Sequence, residues 1–447
     1  MTTNTRAEGP APSVSLTTLG CRVNQAETEM MAREFARLGF RLAPFGERVD
    51  VAVVNSCTVT HEADRQARQL ARRARRSSPD GMVVVTGCYA SVAADDVGAL
   101  PEVDVVVGNR QKEDLVRQVA ALLRERGRVA NATPAEPAEV PGWFGRTRAQ
   151  LKVEEGCNNR CTFCIVPTAR GAQRSVEPLR VVETVRHLEL LGYREVVLTG
   201  THLGGYGRDL IPRQNLSDLV EALLRDTSVS RVRLSSVEPQ DFPVHALALW
   251  NDRRLCRHFH LPVQSGSDAV LRRMLRGYRS ERFARLCDSI REAVPGAAIT
   301  TDVIVGFPGE TDAQFEETTA LLERCAVARA HVFPYSPRAG TPAAEMPDQV
   351  PVSRKRRRVA ELTAASRGWH EAFRSRFIGG VVDVLFEQEA LPGVWEGLTD
   401  NYVRVRCEER SSLFNSVRPV EIEAIEGDGV RGRIAHAPVR PIRLGRS

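Results

Sequence analysis

The chain has 447 residues, 42% hydrophobic and 26% charged, the balance of a globular protein and a length that implies two or three domains. Ten cysteines are too few for a disulfide-stapled secreted scaffold, the opening "MTTNTRAEGPAPS" has no apolar leader core, and no apolar run is long enough to span a bilayer. No membrane partner is expected, and the cytoplasm, where thiols stay reduced, is the expected compartment. The net charge is +6 and its positive part is almost all arginine, the lysines being Lys112, Lys152 and Lys355 alone. A general preference for arginine explains that balance, and an RNA partner would use the same guanidinium groups to grip phosphates.

Residues 14–127 alternate strand-like runs ("SVSLTTLG", "VDVAVVNS", "GMVVVTG", "VDVVVGN") with helical patterns such as "ETEMMAREFARLGF". That alternation predicts a parallel sheet with crossover helices. Cys21, Cys57 and Cys88 each follow a different one of these runs. In a doubly wound sheet the carboxyl ends of the strands share the edge where ligands bind, so three cysteines distant in sequence converge in space. A lone cysteine there would read as ordinary core; three at equivalent positions read as a site. Residues 128–142, within "RVANATPAEPAEVPGW", have no periodicity and read as a linker.

Residues 143–370 alternate again, with six strand candidates from "AQLKVEEG" to "RAHVFPYS". Six units suit an open, partial TIM-like barrel whose functional face lies at the carboxyl ends of its strands. At its start stands "EEGCNNRCTFCIVP", with Cys157, Cys161 and Cys164 spaced C-x3-C-x2-C and no fourth cysteine nearby. Structural zinc wants four ligands, and a bacterial ferredoxin run has different spacing and a further cysteine. A 4Fe–4S cluster with three protein ligands, leaving one iron open, fits best. Residues 371–440 change to short runs between Gly and Asp turns, the pattern of a small antiparallel β-barrel. The preceding "SRKRRRVAEL" reads as a helix entry with either a solvated or a phosphate-facing basic stripe.

The cysteine spacing, with Phe163 at the aromatic position, resembles the radical S-adenosylmethionine (SAM) enzymes. In them the open iron chelates the cofactor, whose reductive cleavage yields a 5′-deoxyadenosyl radical. The resemblance implies SAM contacts at strand ends: Gly200 in "LTGTHLGG", Ser236 and Glu238 in "LSSVEP", Gln264 and Ser265 in "LPVQSGSD", and Asp302 in "TTDVIVGFPGET", whose Gly-rich turn ends at Glu310. No catalytic residue beyond the cluster ligands is assigned. Cys256, Cys287, Cys325 and Cys407 show no such placement, and Cys287 and Cys325 read as core.

Two three-cysteine sets on one chain resemble the methylthiotransferases, which join a flavodoxin-like cysteine domain, a radical SAM core and a C-terminal TRAM β-barrel. The resemblance covers residues 14 to 440 and implies two 4Fe–4S clusters, SAM, a sulfur donor and a low-potential electron donor. It implies conversion of a C–H bond to C–SCH3. The words "TLGCRVNQAETE" and "VNSCTVTHEADRQAR" resemble the MtaB-type branch, which acts on N6-threonylcarbamoyladenosine (t6A) at tRNA position 37. Ser56 stands where that branch usually has Thr. Sibling branches act on isopentenyladenosine in tRNA or on a ribosomal-protein aspartate; a non-catalytic iron–sulfur RNA-binding protein is the alternative of another class. The resemblance makes the last segment an anticodon-loop grip, with Arg404, Arg406, Arg431 and Arg433 either on phosphates or merely facing outward.

Overall fold

The computed structural model describes residues 11–126 and 147–435, so the linker at 128–142, the first residues of the barrel segment and the end of the TRAM-like segment lie outside the described residues. The chain folds into two compact units. One comprises the described residues up to 126 with two later excursions, Gly156–Asn158 and Cys164–Ala172; the other comprises residues 147–155, Asn159–Phe163 and everything from Gln173.

In the first unit β1 (Ser13–Thr18), β2 (Arg41–Leu42), β3 (Val51–Ser56), β4 (Met82–Gly87) and β5 (Val105–Val107) form a parallel sheet in the order β2-β1-β3-β4-β5. This is the flavodoxin-like order expected of a doubly wound sheet. Every residue of β3 and β4 is buried, which is why both read as unbroken apolar runs rather than alternating ones. The two-residue β2 left no sequence signal. Helices α1 (Arg22–Arg37), α2 (His61–Ser77), α3 (Cys88–Val92), α4 (Ala94–Gly98) and α5 (Leu115–Glu125) make the crossovers. Helix α2 buries only a narrow line, Asp64, Ala67, Ala71 and Ala74 at helical spacing, so most of its arginines face water. Thr60 caps it by accepting from Ala63 N at 3.2 Å. A short helix α6 (Val166–Arg170), in the second excursion, packs on α3.

In the second unit β6 (Arg148–Lys152) pairs with β9 (Glu195–Thr199), which pairs with β10 (Arg231–Leu234), all parallel. The short strands β7 (Glu154–Glu155) and β8 (Arg174–Ser175) form a separate antiparallel pair. Strands β11 (His258–His260), β12 (Ala298–Val305) and β13 (Arg329–Pro334) form a second parallel sheet. Single bridges, Val232 to Leu255 and Ser236 to His260, link the two sheets into one open six-strand arc. Helices α7 (Pro178–Leu190), α8 (Leu216–Asp226), α9 (Asp268–Arg273), α10 (Ser280–Ala293) and α11 (Asp312–Arg324) lie between the strands. After β13 come the short α12 (Pro342–Glu345) and the long α13 (Val352–Ser375). This is the partial TIM-like architecture expected. Its core contains Val196, Leu198, Phe259, Phe283 and Leu322, and Cys287 and Cys325 are buried in it.

Strands β14 (Val381–Leu391), β15 (Val394–Thr399), β16 (Arg404–Glu408), β17 (Val417–Glu426) and β18 (Gly429–Ile434) close into a barrel. Its pairs are antiparallel except β16 with β18, which run parallel. The barrel packs beneath the amino-terminal ends of the parallel strands, where Ala298 and Ala328 share a core with Phe373, Phe377 and Val382. Buried ion pairs and carbonyl contacts stitch that seam. Arg233 grips Glu195 at 2.6 Å and donates to Asp400 O and Thr399 O, Arg231 donates to Leu398 O and Asp383 O, and Arg257 binds Asp400. Tyr402, held at a φ of 69°, stacks on His258 at 4.7 Å and lies 4.9 Å from the Arg233 guanidinium.

Candidate active site

Because β1, β3 and β4 are parallel neighbours, their carboxyl ends share one edge, and Cys21, Cys57 and Cys88 stand just beyond it. Two glycines make that placement possible. Gly20 has φ +92°, and a Cβ there would lie 2.7 Å from Cys57 Cβ and 2.8 Å from its Sγ; Gly87 has φ +99°, with Ser56 O 2.2 Å from such a Cβ. The side chain of Asn24 fastens the edge by donating to Leu19 O at 2.8 Å and Ser56 O at 2.9 Å. Cys21 is exposed at the N-cap of α1, while Cys57 and Cys88 are buried. Burial pushes the Cys57 thiol up to about 12, and the neighbouring Cys88 and Cys21 add to that rise. Such a thiol stays neutral until a metal displaces its proton.

Behind these thiols lies a buried polar network that the sequence reading missed. Glu27 accepts from Lys112 Nζ at 2.6 Å and from Arg170 Nη1 at 2.8 Å, and all three side chains are at most 3% exposed. Arg170 Nη2 also donates to Asn24 Oδ1 at 2.5 Å, and Lys112 Nζ to Asn55 Oδ1 at 3.2 Å. Asn109 Nδ2 lies 3.7 Å from Cys88 Sγ and donates to Ala169 O at 2.8 Å. The rarity of lysine was the available signal. All three lysines point inward, Lys355 to Tyr335 O at 2.9 Å and Lys152 to Glu155 at 2.9 Å.

The C-x3-C-x2-C segment is shaped with equal care. In the first unit, Gly156 has φ +83° and a Cβ there would lie 2.1 Å from Ala172 O, while Cys157 N donates to Gly171 O at 3.1 Å. In the second unit, Thr162 is pinned by Met274 O and Arg273 O, at 3.1 and 2.9 Å. Phe163 packs with Met274, Phe307 and Tyr335. Cys161 Sγ receives a hydrogen bond from Arg276 Nη1 at 3.3 Å. Among the described residues, no three His, Cys, Asp or Glu side chains meet closely enough to hold a single metal ion. A cubane makes no such demand, since each thiolate binds a different iron. The reduced Cys21, Cys57 and Cys88 at one sheet edge suit such a cluster, and the sequence spacing of Cys157, Cys161 and Cys164 offers three thiolates for another.

The remaining expected residues lie at the carboxyl ends of the arc. Gly200 follows β9, and a Cβ there would lie 2.6 Å from Glu154 Oε2. Exposed Ser236 bridges to His260. Glu238 accepts from Arg276, whose guanidinium also lies over the Tyr278 ring. Gln264, at φ +66°, donates its backbone N–H to Asp302 O and accepts from Ile304 N, each at 2.9 Å. Asp302 lies 3.2 Å from His260 Nε2, and His260 and His258 both bond to Thr300 Oγ1 at 2.9 Å. The structure therefore brings Ser236 and Asp302 to His260, Gln264 to the Asp302 backbone, and Glu238 with Cys161 to Arg276. Phe163 supports from an apolar layer. Neither His260 nor Arg276 stands out in one sequence, because each is polar in an otherwise ordinary strand or loop.

One expectation changes. Glu310 is no open ligand: its carboxylate is buried against Arg358 at 2.6 Å and accepts from Gly306 N at 2.5 Å, locking the turn. In the stripe "SRKRRRVAEL" Lys355 and Arg358 turn inward and Arg357 binds Asp312 and Glu361, while Arg354 and Arg356 are exposed. On the closed barrel Arg404, Arg406, Arg431 and Arg433 face outward, but each is paired to carboxylates of Glu396, Glu421, Glu423 or Glu426. Cys256 and Cys407 are buried.

Comparison with known proteins agrees with this division. Residues 151–322 match the Radical SAM superfamily and residues 13–108 the family described as Uncharacterized protein family UPF0004. The chain is 39% identical to the threonylcarbamoyladenosine tRNA methylthiotransferase MtaB of Bacillus subtilis, over 92% of this chain and 93% of that one. It is 38% identical to the tRNA-2-methylthio-N(6)-dimethylallyladenosine synthase of Acidothermus cellulolyticus, over 85% and 79% of the two chains. Among solved structures, the radical SAM methyltransferase TsrM from Kitasatospora setae, with cobalamin and a [4Fe–4S] cluster bound, superposes with a TM-score of 0.52 at 16% identity, over 75% of this chain and 77% of that one. That last likeness is one of fold.

Proposed function

The chain belongs to the tRNA methylthiotransferases of the radical SAM superfamily, and from that premise we propose that it methylthiolates C2 of t6A at position 37 of tRNA, giving ms2t6A. The observation that carries this reading is the pairing of two three-cysteine sets. One is C-x3-C-x2-C at the head of a radical SAM arc, and the other is gathered at the edge of a flavodoxin-like sheet. Cys157, Cys161 and Cys164 would hold one 4Fe–4S cluster, and Cys21, Cys57 and Cys88 the second. Bound there, the clusters and SAM supply one-electron cleavage of a sulfonium and transfer of sulfur and methyl, chemistry that belongs to the cofactors.

The protein's own part is binding and orientation. Ser236, Glu238, Gln264 and Asp302 offer hydrogen-bonding groups at the strand ends for the amino, ribose and adenine parts of SAM. Gly200 keeps the floor low, and Phe163 packs the loop between the cysteines. Partners beyond tRNA and SAM are a sulfur donor and a low-potential reductant, and the compartment is the cytoplasm. No helix among the described residues is long and apolar enough to cross a membrane.

The similarity to a dimethylallyladenosine synthase makes that tRNA substrate the second reading. Mass spectrometry of tRNA nucleosides from a deletion strain separates the two. Loss of ms2t6A with accumulation of t6A, restored by the gene, is the expected result. Unchanged ms2t6A with loss of the methylthio dimethylallyl nucleoside would replace the substrate assignment.

A further inference from the structure

The network behind Cys21, Cys57 and Cys88 has an uneven charge count. Two cations, Lys112 and Arg170, converge on one carboxylate, Glu27, and all three are buried. Neutral amides stand beside them: Asn24 and Asn55, with Asn109 alongside at Cys88. Arg170 keeps its charge at any working pH. Burial pulls Lys112 down, while Glu27 holds it up from 2.6 Å. Two cations and one carboxylate therefore stand together in the interior behind the three thiols. A buried excess charge is costly unless something of opposite sign stands near it.

The connections to the thiols are short. Arg170 Nη2 reaches Asn24 Oδ1 at 2.5 Å, and that same oxygen is 4.0 Å from Cys21 Sγ. Asn109 Nδ2 is 3.7 Å from Cys88 Sγ and bonds to Ala169 O, the carbonyl next to Arg170. An oxidised cubane with three thiolates carries one negative charge, and reduction adds another. Buried positive charge beside it favours the reduced state.

We infer that Lys112 and Arg170, balanced against Glu27, are positioning residues that set the charge and hence the reduction potential of a cluster held by Cys21, Cys57 and Cys88. Arg170 lies six residues beyond Cys164, so the segment that carries the radical SAM cysteines also supplies the counter-charge for the other set. The second site is electrostatically complete only when that segment is docked. This inference rests on the reading of Cys21, Cys57 and Cys88 as cluster ligands, and the test separates the two.

The test uses the full-length chain with Cys157, Cys161 and Cys164 replaced by Ala, reconstituted anaerobically with iron and sulfide. The readout is its midpoint potential, followed by electron paramagnetic resonance during dithionite titration. If this parent holds no iron, both the ligand assignment and the inference fall. If it holds iron, Arg170→Gln and Lys112→Met are each expected to lower the equilibrium constant for reduction at least tenfold, about 59 mV for one electron. Glu27→Gln is expected to raise it by a similar factor, and Arg170→Lys to restore most of the loss. A merely structural network would not give shifts of opposite sign. Midpoints within twofold of the parent, or shifts of one sign in all three variants, would overturn the inference while leaving the ligand assignment intact. Loss of iron from all three variants, with lowered melting temperatures, would overturn it too, because the network would then be scaffold only.

Discussion

Replacing Glu195 by Gln removes a buried carboxylate that faces three arginines at the seam. Glu195 is fully buried, 2.6 Å from Arg233 and 3.8 Å from Arg231. Burial alone would raise its carboxyl, yet Arg233, Arg148 and Arg231 override that and hold it at about 2 instead of 4.5. At about 1.4 kcal/mol per tenfold change in proton affinity, the gap is worth roughly 3 kcal/mol of folding stability at neutral pH. That agrees with the roughly 3–5 kcal/mol lost when one partner of a buried pair is removed. At about 2 °C per kcal/mol for a unit of this size, the melting transition of Glu195→Gln should fall by roughly 6–10 °C at pH 7. Because the folded pKa is depressed, the contribution is complete above about 4.5 and disappears as pH falls toward about 2. The gap between parent and variant should therefore close across that window. Scanning calorimetry of both proteins at several pH values reads it. A gap under 2 °C at pH 7, or one that persists unchanged at the acid end, would refute the electrostatic account of the seam.

Other outcomes follow from the cysteine loops and the barrel face. Cys157→Ala should abolish deoxyadenosine formation and Cys21→Ala should retain it while losing methylthiolation, each variant keeping about four of roughly eight irons per chain; deoxyadenosine from Cys157→Ala would dismiss the assignment. Gly156→Ala forces a Cβ to 2.1 Å from a backbone oxygen at φ +83°, so it should lose most of the iron held by the C-x3-C-x2-C set, as an iron assay would show. Glu423 accepts from Arg431 at 3.1 Å and faces Arg433 at 3.5 Å, so Glu423→Gln should tighten tRNA binding and steepen its salt dependence, measured by filter binding at several salt concentrations. Weaker binding would mean those arginines do not touch phosphate.

The alternation of strands and helices was legible because both sheets are parallel and buried on two faces, which writes each strand as an apolar run. The cysteines were legible for a related reason: each of Cys21, Cys57 and Cys88 is punctuation after such a run, and C-x3-C-x2-C is local. Arg170, Lys112 and Glu27 were not, because ion pairs spanning 85 and 143 positions leave no local trace. Glu310 misled by the same token. A carboxylate after a Gly-rich turn looks available until a helix from 48 residues downstream brings Arg358 onto it. The even spacing of arginines on β16 and β18 likewise gave no sign that β17 would answer with Glu421, Glu423 and Glu426. Reading two strands separately shows charge; pairing them shows neutrality.

The closed β-barrel covers the amino-terminal end of the arc through Ala298, Ala328, Arg231 and Arg233, and the carboxyl ends of the parallel strands form the opposite mouth. Between the covered end and that mouth stands the length of β12, Ala298–Val305. Eight extended residues measure about 26 Å at roughly 3.3 Å each. If the barrel face grips RNA, as the proposed function implies, an RNA read at the mouth would span that distance. On the proposed function the fold would act as a ruler, selecting a target base by its separation from the gripped backbone.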